Sequence, residues 1–202
     1  MDNNILTKEE VIQQVQGKDY SKLFQALQPE CIAIYLGGSI CQNYLETYHD
    51  IDFICFTTSD QAAARLKAKL TFINFLDKSL EESGQCWKQV RNINSDMPYI
   101  FSYIDRDMIW LCGQHLSFTY DLLGVGRPAY VKKIKSYLRH LHNPKRYYHL
   151  YRGLLILQKN SYDLTEQEIV KLNMLHQQKS EDYLQIQELC EQIRTDIRSL
   201  RI

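Results

Sequence analysis

What this chain of 202 residues lacks narrows it first. It has no excess of charge of one sign, since 24 Lys and Arg side chains balance 24 Asp and Glu. That excludes a partner held by a general positive field, such as non-specifically bound nucleic acid, and leaves room only for a local basic patch. No apolar run approaches the ~20 residues that cross a bilayer, so no membrane partner is expected. The opening MDNNILTKEE has neither the basic flank nor the apolar core of a secretory leader. Six cysteines (Cys31, Cys41, Cys55, Cys86, Cys112 and Cys190) form no CxxC pair and no cysteine–histidine zinc spacing. Free thiols in a reducing compartment follow, and a cytoplasmic location with them. Repeats, low-complexity tracts and long linkers are also missing.

What is present suits a packed core. Hydrophobic residues make up 45% of the chain, enough for one sizeable domain or two small ones. Thr7 and Glu10 form a capping box before Val11, Ile12 and Val15. A short helix is expected over Ser21–Leu27, ended by Pro29. Cys31–Leu36 has the length and flanks of a buried strand. Ile40–Leu45 suggests a short helix and Ile51–Phe56 a second strand. Asp60 is placed to cap a long amphipathic helix running to about Ser83 and stopping at Gly84. Strands are expected over Cys86–Arg91, Tyr99–Ile104 and Met108–Cys112, with a tight turn at Asp105-Arg106-Asp107.

From about Ser117 the pattern is helical only. Pro128 suits the first turn of a helix reaching His142, and another helix follows Pro144 and ends near Asn160. Thr165 and Glu168 form a second capping box, and the Leu184–Leu200 stretch is an amphipathic stripe. The expected architecture is α+β: a mixed sheet of four or five strands flanked by helices over residues 1–115, then a helical bundle over 116–202.

The chemistry is concentrated in YLGGSICQNYLETYHDIDFICF, residues 35–56. Two glycines and a serine after a strand bring bare backbone amides and a hydroxyl to an anion, which describes a phosphate seat at Gly37, Gly38 and Ser39. In a strand, residues two apart share a face, so Asp50 and Asp52 project together. Two such carboxylates repel unless a cation lies between them, and Mg²⁺ prefers oxygen ligands and polyphosphate. A phosphate seat beside a paired aspartate is equipment for phosphoryl or nucleotidyl transfer.

Gly37-Gly38-Ser39 and Asp50-Ile51-Asp52 are separated by the ten residues Ile40–His49. Over roughly residues 20–112 this resembles the nucleotidyltransferase superfamily typified by DNA polymerase beta. The resemblance implies that Gly38 and Ser39 hold the terminal phosphates of a nucleoside triphosphate, with Gly37 allowing close approach. It implies that Asp50 and Asp52 ligate Mg²⁺, with two ions expected. Attack on the α-phosphorus would then transfer a nucleoside monophosphate, AMP from ATP by preference, to a hydroxyl. The acceptor is left open among small molecules, nucleic acids and proteins, with the helical portion helping to form its cleft. The family usually adds a third carboxylate on a later strand. Here that position falls near Trp110, which cannot ligate a metal, so Asp107, or Asp105 beside it, is the candidate third catalytic carboxylate. The same departure supports an alternative, a domain that keeps the fold and binds nucleotide or a protein without turnover. A plain helical interaction protein is a further alternative, and the striped last helix permits a homodimer.

Other residues carry weaker signals. His49 reads as a loop residue. His140, His142 and His149, with Arg139, Lys145 and Arg146, read as a helix junction or as a phosphate or base contact. The resemblance implies that one of Lys132, Lys133 and Lys135, on a later helix, reaches the triphosphate; by themselves they read as a solvated helix face. Arg152 among apolar neighbours calls for a dedicated anionic partner.

Overall fold

The computed structural model describes residues 6–95, 108–117, 131–132, 134–135, 145–161 and 163–199. The chain divides into two compact units. Among the described residues the first holds 6–43, 47–95 and 108–117, and the second holds Tyr44–Glu46 and the residues from 131 onward.

In the first unit, helix α1 (Lys8–Gln16) begins as its capping box dictates. The Thr7 hydroxyl accepts from the Glu10 amide at 3.3 Å while the Glu10 carboxylate takes the Thr7 amide at 2.8 Å. Helix α2 (Ser21–Leu27) ends just before Pro29 and leads into strand β1 (Ala33–Gly37), buried along its whole length. Strand β2 (Asp50–Thr57) returns antiparallel to β1. Helix α3 (Asp60–Leu70) and the short α4 (Lys78–Glu81) then form a crossover, as a parallel neighbour requires, and strand β3 (Gln85–Asn92) pairs parallel with β2. Strand β4 (Ile109–Gly113) adds antiparallel to β1. The described sheet therefore has four strands in the order β3-β2-β1-β4.

Strand alternation divides this sheet into two faces. One presents Ile34, Leu36, Ile51, Phe53 and Cys55 to Val11, Val15, Leu27, Leu66 and Leu80 of the helices. Phe53 and Phe75 meet there with ring centroids 4.8 Å apart. The opposite face carries Tyr35, Gly37, Asp50, Asp52, Ile54 and Phe56 along β1 and β2. All six cysteines are free thiols.

The structure corrects two expected helices. The single helix from Asp60 to Ser83 is broken after Leu70, and Ser59 rather than Asp60 caps it, its hydroxyl accepting from the Ala62 amide at 3.1 Å. The break leaves carbonyls that Lys88 of β3 collects: its ammonium donates to Leu70 O at 3.0 Å and to Ile73 O. Asp77 then starts α4 by accepting from the Leu80 amide at 3.3 Å. Over Ile40–Leu45 there is only a 3-10 turn, Ser39–Cys41. The backbone beyond it is bonded elsewhere: Asn173 donates its amide to Tyr44 O at 2.8 Å and accepts the Glu46 N–H at 2.9 Å. The strand expected over Tyr99–Ile104 and the turn at Asp105–Asp107 lie outside the described residues.

In the second unit, α5 (Lys145–Lys159), α6 (Glu166–Gln177) and α7 (Tyr183–Ser199) surround a core that includes Leu150, Leu154, Leu172, Leu175, Ile186, Ile193 and Ile197. Thr165 and Glu168 make the expected capping box, and Glu168 also pairs with Lys159 at 2.8 Å. Val131, Lys132, Ile134 and Lys135 are helical, which agrees with a helix after Pro128, though most of that expected helix lies outside the described residues. No helix among the described residues is long and apolar enough to cross a membrane.

One ion cluster ties α3 to the chain before β1. The buried Glu30 carboxylate accepts from Lys69 at 2.6 Å and from Arg65 Nε at 3.1 Å. The Lys69 hydrogen bond, helped by Arg65, holds the Glu30 carboxyl below its ordinary range against the opposing effect of burial. A carboxyl depressed by folding binds its proton more readily in the unfolded chain, so its contribution is complete above the ordinary Glu value and is lost as pH falls through the folded value. Glu30→Gln should lower the urea midpoint at neutral pH. The gap from wild type should stay constant down to about pH 4.5 and close below it; a gap that ignores pH would exclude this coupling.

Candidate functional site

The site residues are assembled by the β1–β2 register. Gly37 pairs directly with Asp52, so the end of one strand lies beside the aspartate near the start of the other. Gly38 adopts φ 78° and ψ −161°, a region essentially reserved for glycine. A Cβ built on Gly38 would lie 2.1 Å from Asp52 Oδ2, and one on Gly37 would lie 2.5 Å from Ile54 Cδ1. Thus Gly38 is needed twice, for its backbone angle and for the space that the carboxylate occupies.

Ser39 opens the 3-10 turn, where the Cys41 and Gln42 amides bond back to Gly38 O and Ser39 O, each at 3.2 Å. The Lys8 ammonium, buried at the start of α1, donates to Gln42 O at 2.5 Å and holds the exit of the turn. The Ser39 hydroxyl oxygen is buried and has no hydrogen-bond partner among the described residues. An unmade hydrogen bond of this kind costs about 1–3 kcal/mol, so a hydroxyl with no partner among the described residues suits an absent ligand. The turn is too short to supply much of a helix dipole. The Ser39 hydroxyl and the Gly38 backbone remain.

Asp50 and Asp52 are both part-exposed and share a face, as the alternation predicts. The parallel register places Gln85 opposite Asp50 and Trp87 opposite Asp52. On that same face, Gln89 donates its amide to Asp52 Oδ1 at 2.9 Å, and Arg91 donates to Gln89 Oε1 at 2.8 Å. This relay fixes which way the Gln89 amide points, because its oxygen is committed to the guanidinium. Asp52 is therefore flanked on both sides, by an amide donor at Oδ1 and by the Gly38 backbone beside Oδ2.

The third carboxylate cannot be placed in the same way, because Asp105 and Asp107 lie outside the described residues. Trp110 is opposite Tyr35 on β4, so it shares the aspartates' face but sits beyond β1, with its ring 6.0 Å from that of His115. Among the described residues no group of three or more His, Cys, Asp or Glu side chains is arranged to hold a metal. A pair still suits Mg²⁺, which typically takes one or two carboxylates and completes its shell with water and substrate phosphate. In such an arrangement the orphaned Ser39 hydroxyl and the Gly38 backbone would lie on the phosphate side.

The weaker candidates separate as follows. His49 is exposed, as are Lys132 and Lys135, while His140, His142 and Lys133 lie outside the described residues. His149 stacks edge-on against Tyr148. Arg152 is buried in the second unit, where it donates to the Tyr44 and Tyr148 hydroxyls at 3.1 and 3.3 Å and lies over the Tyr148 ring. Phenol oxygens there accept from the guanidinium. Gln89, Arg91 and Trp87 escaped the sequence reading. The alternation Gln85, Trp87, Gln89, Arg91 against Cys86, Lys88, Val90 was legible, but only the parallel register shows that it faces Asp52.

Comparison of the chain with protein-family models, curated proteins and solved structures gives no match.

Gly38→Ala tests the close approach directly. Strain in this backbone region costs about 1–3 kcal/mol, so the variant should fold with a correspondingly lower urea midpoint. A midpoint unchanged from wild type would mean that Asp52 moves away freely and that the Gly38 contact constrains nothing.

Proposed function

We propose that this chain is a nucleotidyltransferase that uses a Mg²⁺-bound nucleoside triphosphate, ATP by preference, and transfers the nucleoside monophosphate to a hydroxyl acceptor. The observation that carries the reading is the orphaned Ser39 hydroxyl beside Gly38, immediately next to the Asp50–Asp52 face. In this reading the Gly38 and Ser39 amides and the Ser39 hydroxyl bind the terminal phosphates. Asp50 and Asp52 hold the metal, which neutralises phosphate charge and polarises the α-phosphorus when bound. Gln89 keeps the Asp52 carboxylate turned toward that position, and Arg91 keeps Gln89 in its donor orientation. Asp107 is assigned as the third carboxylate, with proton removal from the acceptor as its task.

A second reading, nucleotide binding without turnover, is favoured by one specific observation. The side chain that reaches Asp52 from the neighbouring strand is the neutral amide of Gln89, which donates a hydrogen bond and takes no proton from an acceptor. Trp110 on the aspartates' face adds to this.

Calorimetry with the four nucleoside triphosphates, with and without Mg²⁺, tests the part the readings share. Binding should require Mg²⁺ and fall at least tenfold in Asp52→Asn. Absence of binding to well-folded wild type at millimolar nucleotide would sink both. Pyrophosphate release in the presence of candidate hydroxyl acceptors, lost in Asp107→Asn, would then favour transfer over binding alone.

A further inference from the structure

We propose that Trp87 is the platform on which the base of the bound nucleotide stacks, an inference that rests on the nucleotide-site reading above. The chain has two tryptophans, and each is close to half exposed: Trp87 at 49% and Trp110 at 44%. Both lie on the sheet face that carries Asp50 and Asp52. They differ in what they touch. The Trp110 indole lies against His115, whereas Trp87 has no aromatic or cationic partner among the described residues. A large apolar ring left half in water next to paired carboxylates is a feature that packing does not account for.

Its place in the register supplies the direction. Gly37, Asp52 and Trp87 form one row across β1, β2 and β3. Adjacent strands lie about 4.8 Å apart, so Trp87 stands ~10 Å from the phosphate seat with the aspartate between them. A nucleotide whose terminal phosphates sit at Gly38 and Ser39, and whose α-phosphate lies over the aspartates, carries its nucleoside onward along this row to β3. The exposed indole is the π-surface waiting there. Stacking on an aromatic ring accepts any base, so Trp87 provides affinity for a nucleoside while leaving discrimination among bases to other contacts.

The test uses the full chain and two probes, Mg²⁺-ATP and Mg²⁺-tripolyphosphate, which share phosphates and differ in the nucleoside. In Trp110→Phe, Trp87 is the remaining tryptophan, and its fluorescence should be quenched by ATP and not by tripolyphosphate. In Trp87→Ala, ATP should bind about tenfold more weakly, tripolyphosphate should bind as in wild type, and Trp87→Phe should restore most of the loss. Equal ATP affinity in wild type and Trp87→Ala overturns the platform while the nucleotide site stands. Parallel loss of both probes overturns it too, because it marks a structural role. If wild type binds neither probe, the nucleotide reading itself fails and the platform falls with it.

Discussion

The approach of the Asp52 carboxylate to the Gly38 backbone is the constraint on which the site depends. It needs three things at once: an antiparallel register that sets Gly37 beside Asp52, a backbone angle that only glycine holds without strain, and the absence of a Cβ where Oδ2 lies. Nothing in the packing of the other face demands this. The apolar side of β1 and β2 would be buried equally well with a different residue after Gly37. The fold therefore keeps a glycine-only turn that brings a carboxylate against the Gly38 backbone, an arrangement that the burial of the apolar face does not require.

Charge on that face has to be managed by the protein itself. Two carboxylates two residues apart on a strand, ~7 Å from each other, repel by roughly 0.6–2.4 kcal/mol between water-like and protein-like screening. A hydrogen bond to a charged group contributes about 1.5–3 kcal/mol, so the Gln89 amide on Asp52 is of the same order as the repulsion. The pair can stand before any cation arrives. For that reason the aspartate pair alone does not argue for a metal. The Ser39 hydroxyl, buried and unbonded among the described residues, is the independent observation on which the proposed ligand site rests.

How much of this the sequence made legible follows the range of the interactions. Local rules carried both capping boxes at Thr7 and Thr165, because a cap involves residues three apart. The strands around Gly37-Gly38-Ser39 and Asp50-Ile51-Asp52 also followed from short apolar runs, and their antiparallel pairing set the two motifs together. The misreadings came where distant partners decide. The break after Leu70 is accommodated by Lys88 from another element, and the backbone at Tyr44 and Glu46 is bonded by Asn173, far along the chain. Neither partner is visible from local propensity. The site's neighbours on β3 escaped for the same reason, since a parallel register is fixed by the whole crossover and by no short signal in QCWKQVRN.

Gln89 also bears on what the site does with a bound nucleotide. In the proposed reading, seating phosphates and metal asks for a hydroxyl and two carboxylates, which Ser39, Asp50 and Asp52 would supply. Activating an acceptor asks for something more, a group that takes a proton. On β3, the strand next to the aspartates, the residues on their face are Gln85, Trp87, Gln89 and Arg91, and none is a base at neutral pH. Under the nucleotide reading, binding and turnover are thus separable: β1, β2 and β3 would serve the first, and under the transfer reading Asp107, or Asp105 beside it, would serve the second. The relay from Arg91 through Gln89 then has a consistent meaning in either reading, because a fixed carboxylate is as useful for holding a metal–nucleotide as for reacting it.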